Sequence, residues 1–360
     1  MIIQNIKIQN IRSYEFVELP INKGISAIYG ENGSGKTSLL EAIHFGLSLK
    51  SFRTSKTEQI IRKNELKAEI LITGNTKTIR TIKDKTSAKA IDENNEKKIS
   101  RKDLLMQCPT CVIENKEFSF TGSQPDYKRK YLNKILFYVE QDFNNFYEQL
   151  SKIHKQRLFC LKNGQKKEIL IWNQALIEIE PKITLLNKCL INDLNTFFST
   201  NDHLSDFFGK NNWLRRINFK YKAGFDEEIG LEKHLGNNFE KEFVINKPLV
   251  GLHKRNFDIL LDQDDASSIL SRGQQKVLSC ILHLVSKEFI EKSLNIQPIV
   301  LIDDICSELD KENQYLMLKY LNNMNTQAIL TSIEKIALDN KFNANLFHVE
   351  QKGDISNVKR

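Results

Sequence analysis

The 360-residue chain has no apolar run that could cross a membrane, since a transmembrane helix needs about 20 apolar residues and the longest runs here reach about five. Six cysteines are too few for a disulfide scaffold and favour a reducing, cytoplasmic location. The first residues, MIIQNIKIQN, lack the apolar core of a secretory signal peptide. The remaining composition, 40% hydrophobic and 27% charged, is typical of a globular protein.

Several common functional patterns are also missing. Cys108 and Cys111 form a lone CxxC pair, and a zinc site would need a second pair of ligands at suitable spacing. The seven histidines form no H-x-x-x-H or H-E-x-x-H pattern. We therefore predict no zinc site.

Positive charge is concentrated in one part of the chain. The net charge is +8, and residues 50–102 alone contain 15 Lys and Arg against 7 Asp and Glu, which is the same surplus. A concentrated basic segment suits a polyanion, of which nucleic acid is the commonest. A solvated, lysine-rich surface would explain the same charge, so both interpretations stay open.

The periodicity of apolar residues predicts a helical middle between two α/β parts. Heptad spacing over 132–153 and again over 176–197, with a break at 162–164, indicates an antiparallel helical hairpin. Pro181 predicts a kink or break in the second helix. The polar stretch 88–98 is expected to be a loop.

A phosphate-binding loop is the strongest motif. The sequence GENGSGKT at 30–37 fits G-x-x-x-x-G-K-[ST], between an apolar strand and an apolar-periodic helix. Glycines let backbone N–H groups converge on phosphate, Lys36 supplies charge for the β- and γ-phosphates, and the Thr37 hydroxyl suits Mg²⁺. The loop predicts ATP contacts from Gly30, Glu31, Asn32, Gly33, Ser34, Gly35, Lys36, Thr37 and Ser38.

A second half-site follows some 270 residues later. The apolar strand 299–302 ends in Asp303 and Asp304, as a Walker B strand does. We expect Asp303 to hold Mg²⁺ with Thr37, and Asp304 to orient or deprotonate the attacking water. Lys36, Asp303 and Asp304 are thus the predicted catalytic residues.

The stretch Ser271, Arg272, Gly273 and Gln274 opens a predicted helix, with Ser271 as a plausible N-cap. It is either a capped helix start or an ABC-type signature loop, which acts on the γ-phosphate held by a second protomer. Ser307 and Asp310, in the SELD stretch after the acidic pair, match the D-loop that crosses such an interface.

These motifs together resemble the RecF family of bacterial recombination mediators, within the SMC/ABC ATPase class. The resemblance covers nearly the whole chain. It includes NIRSY at 10–14, SFRT at 51–54, GSQP at 122–125 with Lys128 and Arg129, QR at 156–157, LSRGQ at 270–274 and LIDD at 301–304. The sequence GLHKR at 251–255 departs from the family's G-P-H-R-x-D, Glu114 is only a loose equivalent of a Q-loop residue, and no switch histidine follows the strand that ends near Thr331.

The resemblance implies an α/β, ABC/SMC-type P-loop ATPase head with an inserted, mostly helical lobe. The expected parts are an N-terminal head segment at 1–115, the lobe at 116–245 and a C-terminal head segment at 246–360. The inserted lobe is too short for the coiled-coil arm of a true SMC protein. Arg12, in the N-terminal motif, is an expected ATP contact.

The resemblance also implies a function in DNA repair, replication and the SOS response. ATP would close two protomers into a homodimer on gapped, single- or double-stranded DNA, and slow, DNA-stimulated hydrolysis would release it. The implied partners are RecR and, through it, RecO and RecA. Candidate DNA contacts in the basic segment are Lys50, Arg53, Lys56, Arg62 and Lys63.

Three alternatives share parts of this pattern. The ATPase subunit of a membrane transporter has the same nucleotide motifs, although Asp304 stands where such subunits usually have Glu and a helical hairpin interrupts this head. A DNA clamp that binds ATP without hydrolysing it would also carry these residues. Another SMC-like repair protein with a nuclease partner is disfavoured by the short insert.

Overall fold

The computed structural model describes residues 1–114, 120–121, 125–200, 204–305, 309–336, 342 and 344–359. The chain divides into two compact units. Unit 1 comprises Met1–Ser119 and Arg272–Arg360, and unit 2 comprises Phe120–Ser271. The chain therefore leaves unit 1, forms unit 2, and returns to complete unit 1.

Unit 1 contains two sheets and four of the described helices. Its strands are β1 Ile3–Ile11, β2 Tyr14–Pro20, β3 Ile25–Tyr29, β4 Lys67–Gly74, β5 Thr78–Asp84, β6 Ala88–Asp92, β7 Lys97–Ile99, β8 Thr110–Ile113, β12 Ile299–Ile302, β13 Ala328–Ser332, β14 Ala344–Lys352 and β15 Ile355–Lys359. Its helices are α1 Lys36–Ser48, α2 Arg101–Gln107, α9 Arg272–Leu294 and α10 Lys311–Asn323.

Unit 2 is mostly helical, with one small sheet. Its helices are α3 Pro125–Val139, α4 Phe143–Lys162, α5 Glu168–Thr200, α6 Ser205–Lys210, α7 Leu231–Ile245 and α8 Ala266–Ile269. Its strands are β9 Ile217–Lys222, β10 Asn256–Leu261 and β11 Asp264–Asp265. None of the helices described in either unit is both long and apolar enough to span a membrane.

The central sheet of unit 1 has the order β15-β14-β3-β13-β12-β8. From β14 to β8 every pairing is parallel, whereas β15 pairs antiparallel with β14. Strands β3, β8, β12 and β13 are almost entirely buried, as expected for parallel strands covered on both faces. The carboxyl ends of β3, β12 and β13 lie side by side, which is where a ligand site forms in such sheets.

The second sheet is antiparallel, in the order β2-β1-β4-β5-β6-β7. The buried side chain of Gln327 links the two sheets, because its Oε1 accepts from the Ile3 backbone N–H at 2.7 Å and its Nε2 donates to the Ile3 carbonyl at 2.7 Å. An amide side chain can satisfy a backbone donor and acceptor together, as a neighbouring strand would. Helix α1 belongs to the shared core of buried aliphatic residues.

The predicted helical hairpin is present as α4 and α5, but the first heptad seam, 132–153, is divided between α3, which ends at Val139, and α4, which begins at Phe143. Helices α4 and α5 pack together, and Leu150, Ile153, Leu176 and Ile183 of the two heptad seams are buried in one cluster. Of the two outcomes predicted at Pro181, the break does not occur, since a single helix α5 runs through this residue. Packing of the flanking turns offsets the lost backbone hydrogen bond.

Two further expectations differ from the structure. The stretch 88–98 is not a loop. It contains β6, which pairs antiparallel with β5 and β7 and buries Ala90. The turn between β6 and β7 is closed by Asp92, whose carboxylate accepts hydrogen bonds from Asn94 and Asn95.

The helical lobe was expected to end at 245, whereas unit 2 continues to Ser271. The reason is that β10 pairs with β9, so this part of the chain completes the lobe's sheet.

A buried ion pair holds three helices of unit 2 together. Arg157 of α4 donates through Nη2 to Glu242 of α7 at 2.7 Å and through Nε to Asn173 of α5 at 2.7 Å. Both charged side chains are almost inaccessible to solvent. A buried charge requires such pairing, so these residues specify how the helices meet.

Two histidines with little exposed surface predict an acid-sensitive unit 2. Burial, together with positive neighbours such as Arg157, lowers the pKa of His154 to about 3 and that of His253 to about 4, from 6.5. Because the unfolded state binds protons first, stability is full above about pH 6.5 and is lost as pH falls towards 4, by up to ~1.4 kcal/mol per pH unit for each histidine.

Urea unfolding followed by tryptophan fluorescence measures this loss, because both tryptophans, Trp172 and Trp213, lie in unit 2. We expect the free energy of unfolding to fall between pH 7 and pH 5, and His154→Leu to remove about half of that pH dependence. If the free energy of unfolding of His154→Leu depends on pH as steeply as that of the wild-type protein, His154 is not a source of the acid sensitivity.

Candidate nucleotide-binding site

The loop between β3 and α1 forms the floor of the site. Gly33 and Gly35 have φ of 82° and 111°, in the left-handed region that favours glycine. A Cβ at Gly35 would also lie 2.6 Å from the Ser356 Oγ, so a larger residue does not fit. Helix α1 then begins at Lys36, so its N-terminal N–H groups would face an anion held in the loop.

Lys36 is buried beneath this loop. Its Nζ donates to the carbonyls of Gly30 and Glu31, at 2.7 Å each. Burial lowers the pKa of Lys36, and the nearby carboxylates of Asp304 and Asp303 oppose that shift. The ammonium group is therefore held at the loop, where it can also reach bound phosphate.

Asp303 is the centre of a hydrogen-bonded cluster at the ends of the central strands. Its Oδ1 accepts from the Thr37 hydroxyl at 2.9 Å and from the Thr331 hydroxyl at 2.8 Å. The Thr331 Oγ1 in turn accepts from the Asp304 backbone N–H at 2.8 Å. Burial raises the pKa of Asp303, and the two hydroxyl bonds partly offset this. The structure thus unites the predicted halves of the site.

The oxygen atoms of this cluster fit Mg²⁺. Mg²⁺ prefers one or two carboxylates, hydroxyl groups, phosphate oxygens and water to a cage of many side chains. Thr37 and Asp303 would hold the ion, which would neutralise charge on the β- and γ-phosphates. Within the described ranges no group of three or more His, Cys, Asp or Glu could hold a metal.

Two adjoining cavities form the cleft. One of about 210 Å³ is lined by residues of the loop together with Asp303, Asp304 and Thr331. The other, of about 480 Å³, shares Thr37, Arg53 and Asp303 with the first and is also lined by Arg12, Phe52, Gln59 and Glu114. The predicted ATP contact Arg12 and the loose Q-loop equivalent Glu114 therefore lie beside the phosphate loop.

Sequence reasoning missed Glu41, a fully buried carboxylate in α1. Arg12 binds it through two hydrogen bonds, and Arg53 contacts it at 3.3 Å. Arg53, predicted as a DNA contact, therefore lies in the nucleotide cleft, where it also reaches Ser38. The available signal was a single acidic residue in the apolar stretch of α1, LLEAIHF.

The remaining predicted residues lie elsewhere. Ser271 immediately precedes α9, whose first turn contains Arg272, Gly273 and Gln274. Asp310 caps α10 by accepting from the Asn313 backbone N–H at 2.8 Å, and Ser307 is outside the described residues. Arg62 is half-buried and pairs with Glu15, and the remaining predicted DNA contacts are exposed, namely Lys50, Lys56 and Lys63.

Comparison with known proteins gives one family. The model described as RecF/RecN/SMC N terminal domain matches residues 2–356. The chain is 28% identical over 361 residues to the DNA replication and repair protein RecF of Shewanella denitrificans, covering 98% of both chains. It is 27% identical over 357 residues to the protein of that name from Shewanella oneidensis, covering 96% of both.

Solved structures show the same fold. A structure of the recombination mediator protein RecF-ATP in the RecFOR pathway matches with a TM-score of 0.81 at 21% identity, over all of this chain and 98% of that one. The Smc head domain of Pyrococcus furiosus matches with a TM-score of 0.56 at 19% identity, over 99% of this chain and 96% of that one. The predicted ABC/SMC-type ATPase head is thereby confirmed.

Removing the Thr331 hydroxyl should destabilise unit 1. Thr331→Val leaves the partly buried Asp304 N–H without its acceptor and removes one of the donors to Asp303, at an expected cost of about 1–3 kcal/mol in the free energy of unfolding. Thr331→Ser retains the hydroxyl and should lose under about 1 kcal/mol. Chemical unfolding of both variants measures this difference, and equal losses would contradict the role of the hydroxyl.

Proposed function

The chain belongs to the RecF/RecN/SMC N-terminal-domain family, and we propose from this membership that it is an ATP-dependent DNA-binding protein of recombinational repair and replication-fork recovery. The observation that supports this most strongly is the contact of Thr37 with Asp303, which joins the phosphate loop to the Walker B strand. The names of the full-length relatives support the DNA repair part of the proposal.

The residues of the cleft support a catalytic sequence for ATP hydrolysis. The loop N–H groups and Lys36 would bind the phosphates, and Thr37 with Asp303 would hold the Mg²⁺ that accompanies ATP and neutralises charge on its phosphates. Asp304 then orients the attacking water and accepts its proton at the carboxylate, as the water oxygen bonds to the γ-phosphorus and the bond to the bridging oxygen breaks to release ADP and phosphate. Thr331 keeps both aspartates in place through its two hydrogen bonds.

Each site is completed by a second copy of the chain. Ser271 to Gln274 lie at the N-terminal end of the 23-residue helix α9, where backbone N–H groups favour a phosphate. ATP bound between the phosphate loop of one protomer and the signature of the other stabilises the dimer by linkage, and hydrolysis removes that link. The chain therefore acts as a switch that ATP closes and hydrolysis opens.

The basic segment and the names of the relatives support DNA binding. Closing two basic surfaces around DNA raises affinity without reading sequence, because contacts to phosphate carry no base information. We propose gapped, single- and double-stranded DNA as the ligand, RecR as the direct partner, and RecO and RecA as partners through RecR. Recombinase loading at gaps is the resulting task.

A DNA clamp that never hydrolyses ATP is the alternative that the cleft leaves open. Steady-state ATP turnover with and without DNA separates the two. A switch shows weak, DNA-stimulated turnover that Lys36→Arg and Asp303→Asn abolish, whereas a pure clamp shows no turnover to lose.

Sedimentation velocity tests the shared site. We expect ATP with Mg²⁺ to convert the protein to a dimer, and Ser271→Arg to prevent this because a bulky cation replaces the small residue at the helix start. Lys292→Arg, at the other end of α9, serves as the matched control and should dimerise normally. Unchanged mass of the wild-type protein on adding nucleotide would contradict the shared site.

The salt dependence of DNA binding tests the basic segment. Lys56→Ala with Lys63→Ala removes two exposed cations, so the slope of log affinity against log salt concentration should fall by about 1.8 on duplex DNA. Lys352→Ala, also exposed and in β14, should leave the slope unchanged. Equal slopes for the double variant and the wild-type protein would remove these lysines from the interface.

A further inference from the structure

Glu41 is a charged residue in an apolar environment. Leu39, Leu40, Ala42 and Ile43 around it in α1 are buried, and Glu41 itself has no exposed surface. A buried carboxylate is tolerated only when cations and hydrogen-bond donors compensate the lost hydration.

Three side chains converge on the Glu41 carboxylate. Arg12 donates through Nε to Oε2 at 3.0 Å and through Nη2 to Oε1 at 2.9 Å. Arg53 donates through Nη1 to Oε2 at 3.3 Å, and the Ser51 hydroxyl donates to Oε1. The fork-like contact with Arg12 fixes the plane and the direction of that guanidinium group.

The charges at this cluster do not balance. Two guanidinium cations face the single carboxylate of Glu41, which leaves one positive charge in excess at this cluster, while the carboxylates of Asp303 and Glu114 line the adjoining cavity. Both arginines line the same cavity as Thr37 and Asp303, and their side chains are 22% and 40% exposed. An anion entering the cleft therefore meets cations that already have a fixed orientation.

We propose that Glu41 is a positioning residue of the nucleotide site, which holds Arg12 and Arg53 in the orientation that receives a phosphate group. This inference rests on the proposed binding of ATP. A single buried carboxylate thus restricts the motion of two flexible cationic side chains. Ordering these side chains before the ligand arrives removes an entropic cost from binding.

Positioning and simple charge make opposite predictions for Glu41→Gln. If only net charge matters, removing an anion near the cleft should strengthen binding of ATP. If Glu41 positions the arginines, the neutral amide loses the charge-assisted bonds and adds an N–H group that faces them, so ATP should bind about tenfold more weakly. The direction of the change therefore decides between the two.

Calorimetric titration of the full chain with ATP and Mg²⁺ measures this effect, with thermal unfolding as a check on folding. Glu41→Gln should weaken ATP binding about tenfold in the wild-type background. In an Arg12→Ala, Arg53→Ala background it should change affinity by less than about twofold, because the groups it positions are gone. A merely structural carboxylate would lower affinity by the same factor in both backgrounds.

Glu242→Gln is the matched control, since Glu242 is also a buried carboxylate bound to an arginine but belongs to unit 2. It should lower stability and leave ATP affinity within about twofold. If Glu41→Gln fails to fold, Ser51→Ala removes one donor to the carboxylate without adding a buried group, and should weaken ATP binding about threefold.

The outcomes separate this inference from the proposed function. Wild-type protein that binds ATP, with Glu41→Gln folded and binding equally or more tightly, would overturn the positioning role alone. Unchanged affinity in Ser51→Ala would do the same where Glu41→Gln is unfolded. Wild-type protein that does not bind ATP would overturn the proposed function and this inference with it.

Discussion

The hydrogen bond from the Thr37 hydroxyl to the Asp303 carboxylate is the contact on which the rest of the site depends. It joins residues 266 positions apart in the chain. The parallel order of β3, β13 and β12 brings them together, because the carboxyl ends of these three strands lie at one edge of the sheet. Thr37 follows β3 through the phosphate loop, and Asp303 follows β12 directly. The inserted unit 2 can therefore occupy the interval in sequence without separating the two halves of the cleft.

Each unit contains a buried carboxylate that holds the flexible side chain of at least one arginine in place. In unit 2 the pair of Arg157 and Glu242 links three helices. In unit 1 Glu41 holds Arg12 beside the phosphate loop. A buried ion pair adds little net stability, since desolvation offsets the attraction, but its geometry is demanding. Such pairs specify which arrangement forms, and in unit 1 that arrangement faces the nucleotide cleft.

Local patterns in the sequence predicted those parts that depend on local physics. Glycine spacing and the apolar flanks identified the loop before α1, and heptad periodicity identified the hairpin of α4 and α5. Long-range pairing was not predictable in this way. Nothing local shows that β10 pairs with β9, so the lobe was expected to end at 245 rather than at Ser271. The partners of Glu41 come from three separate segments, so no spacing rule identifies them.

The Mg²⁺ dependence of ATP affinity tests the central claim most directly. Asp303 is the carboxylate that unites the loop with the Walker B strand, and Asn at this position retains its size without its charge. Titration of ATP with Mg²⁺ and with a chelator should show at least about tenfold tighter binding with Mg²⁺ in the wild-type protein, and little difference in Asp303→Asn. Full retention of the Mg²⁺ effect in Asp303→Asn would contradict the account.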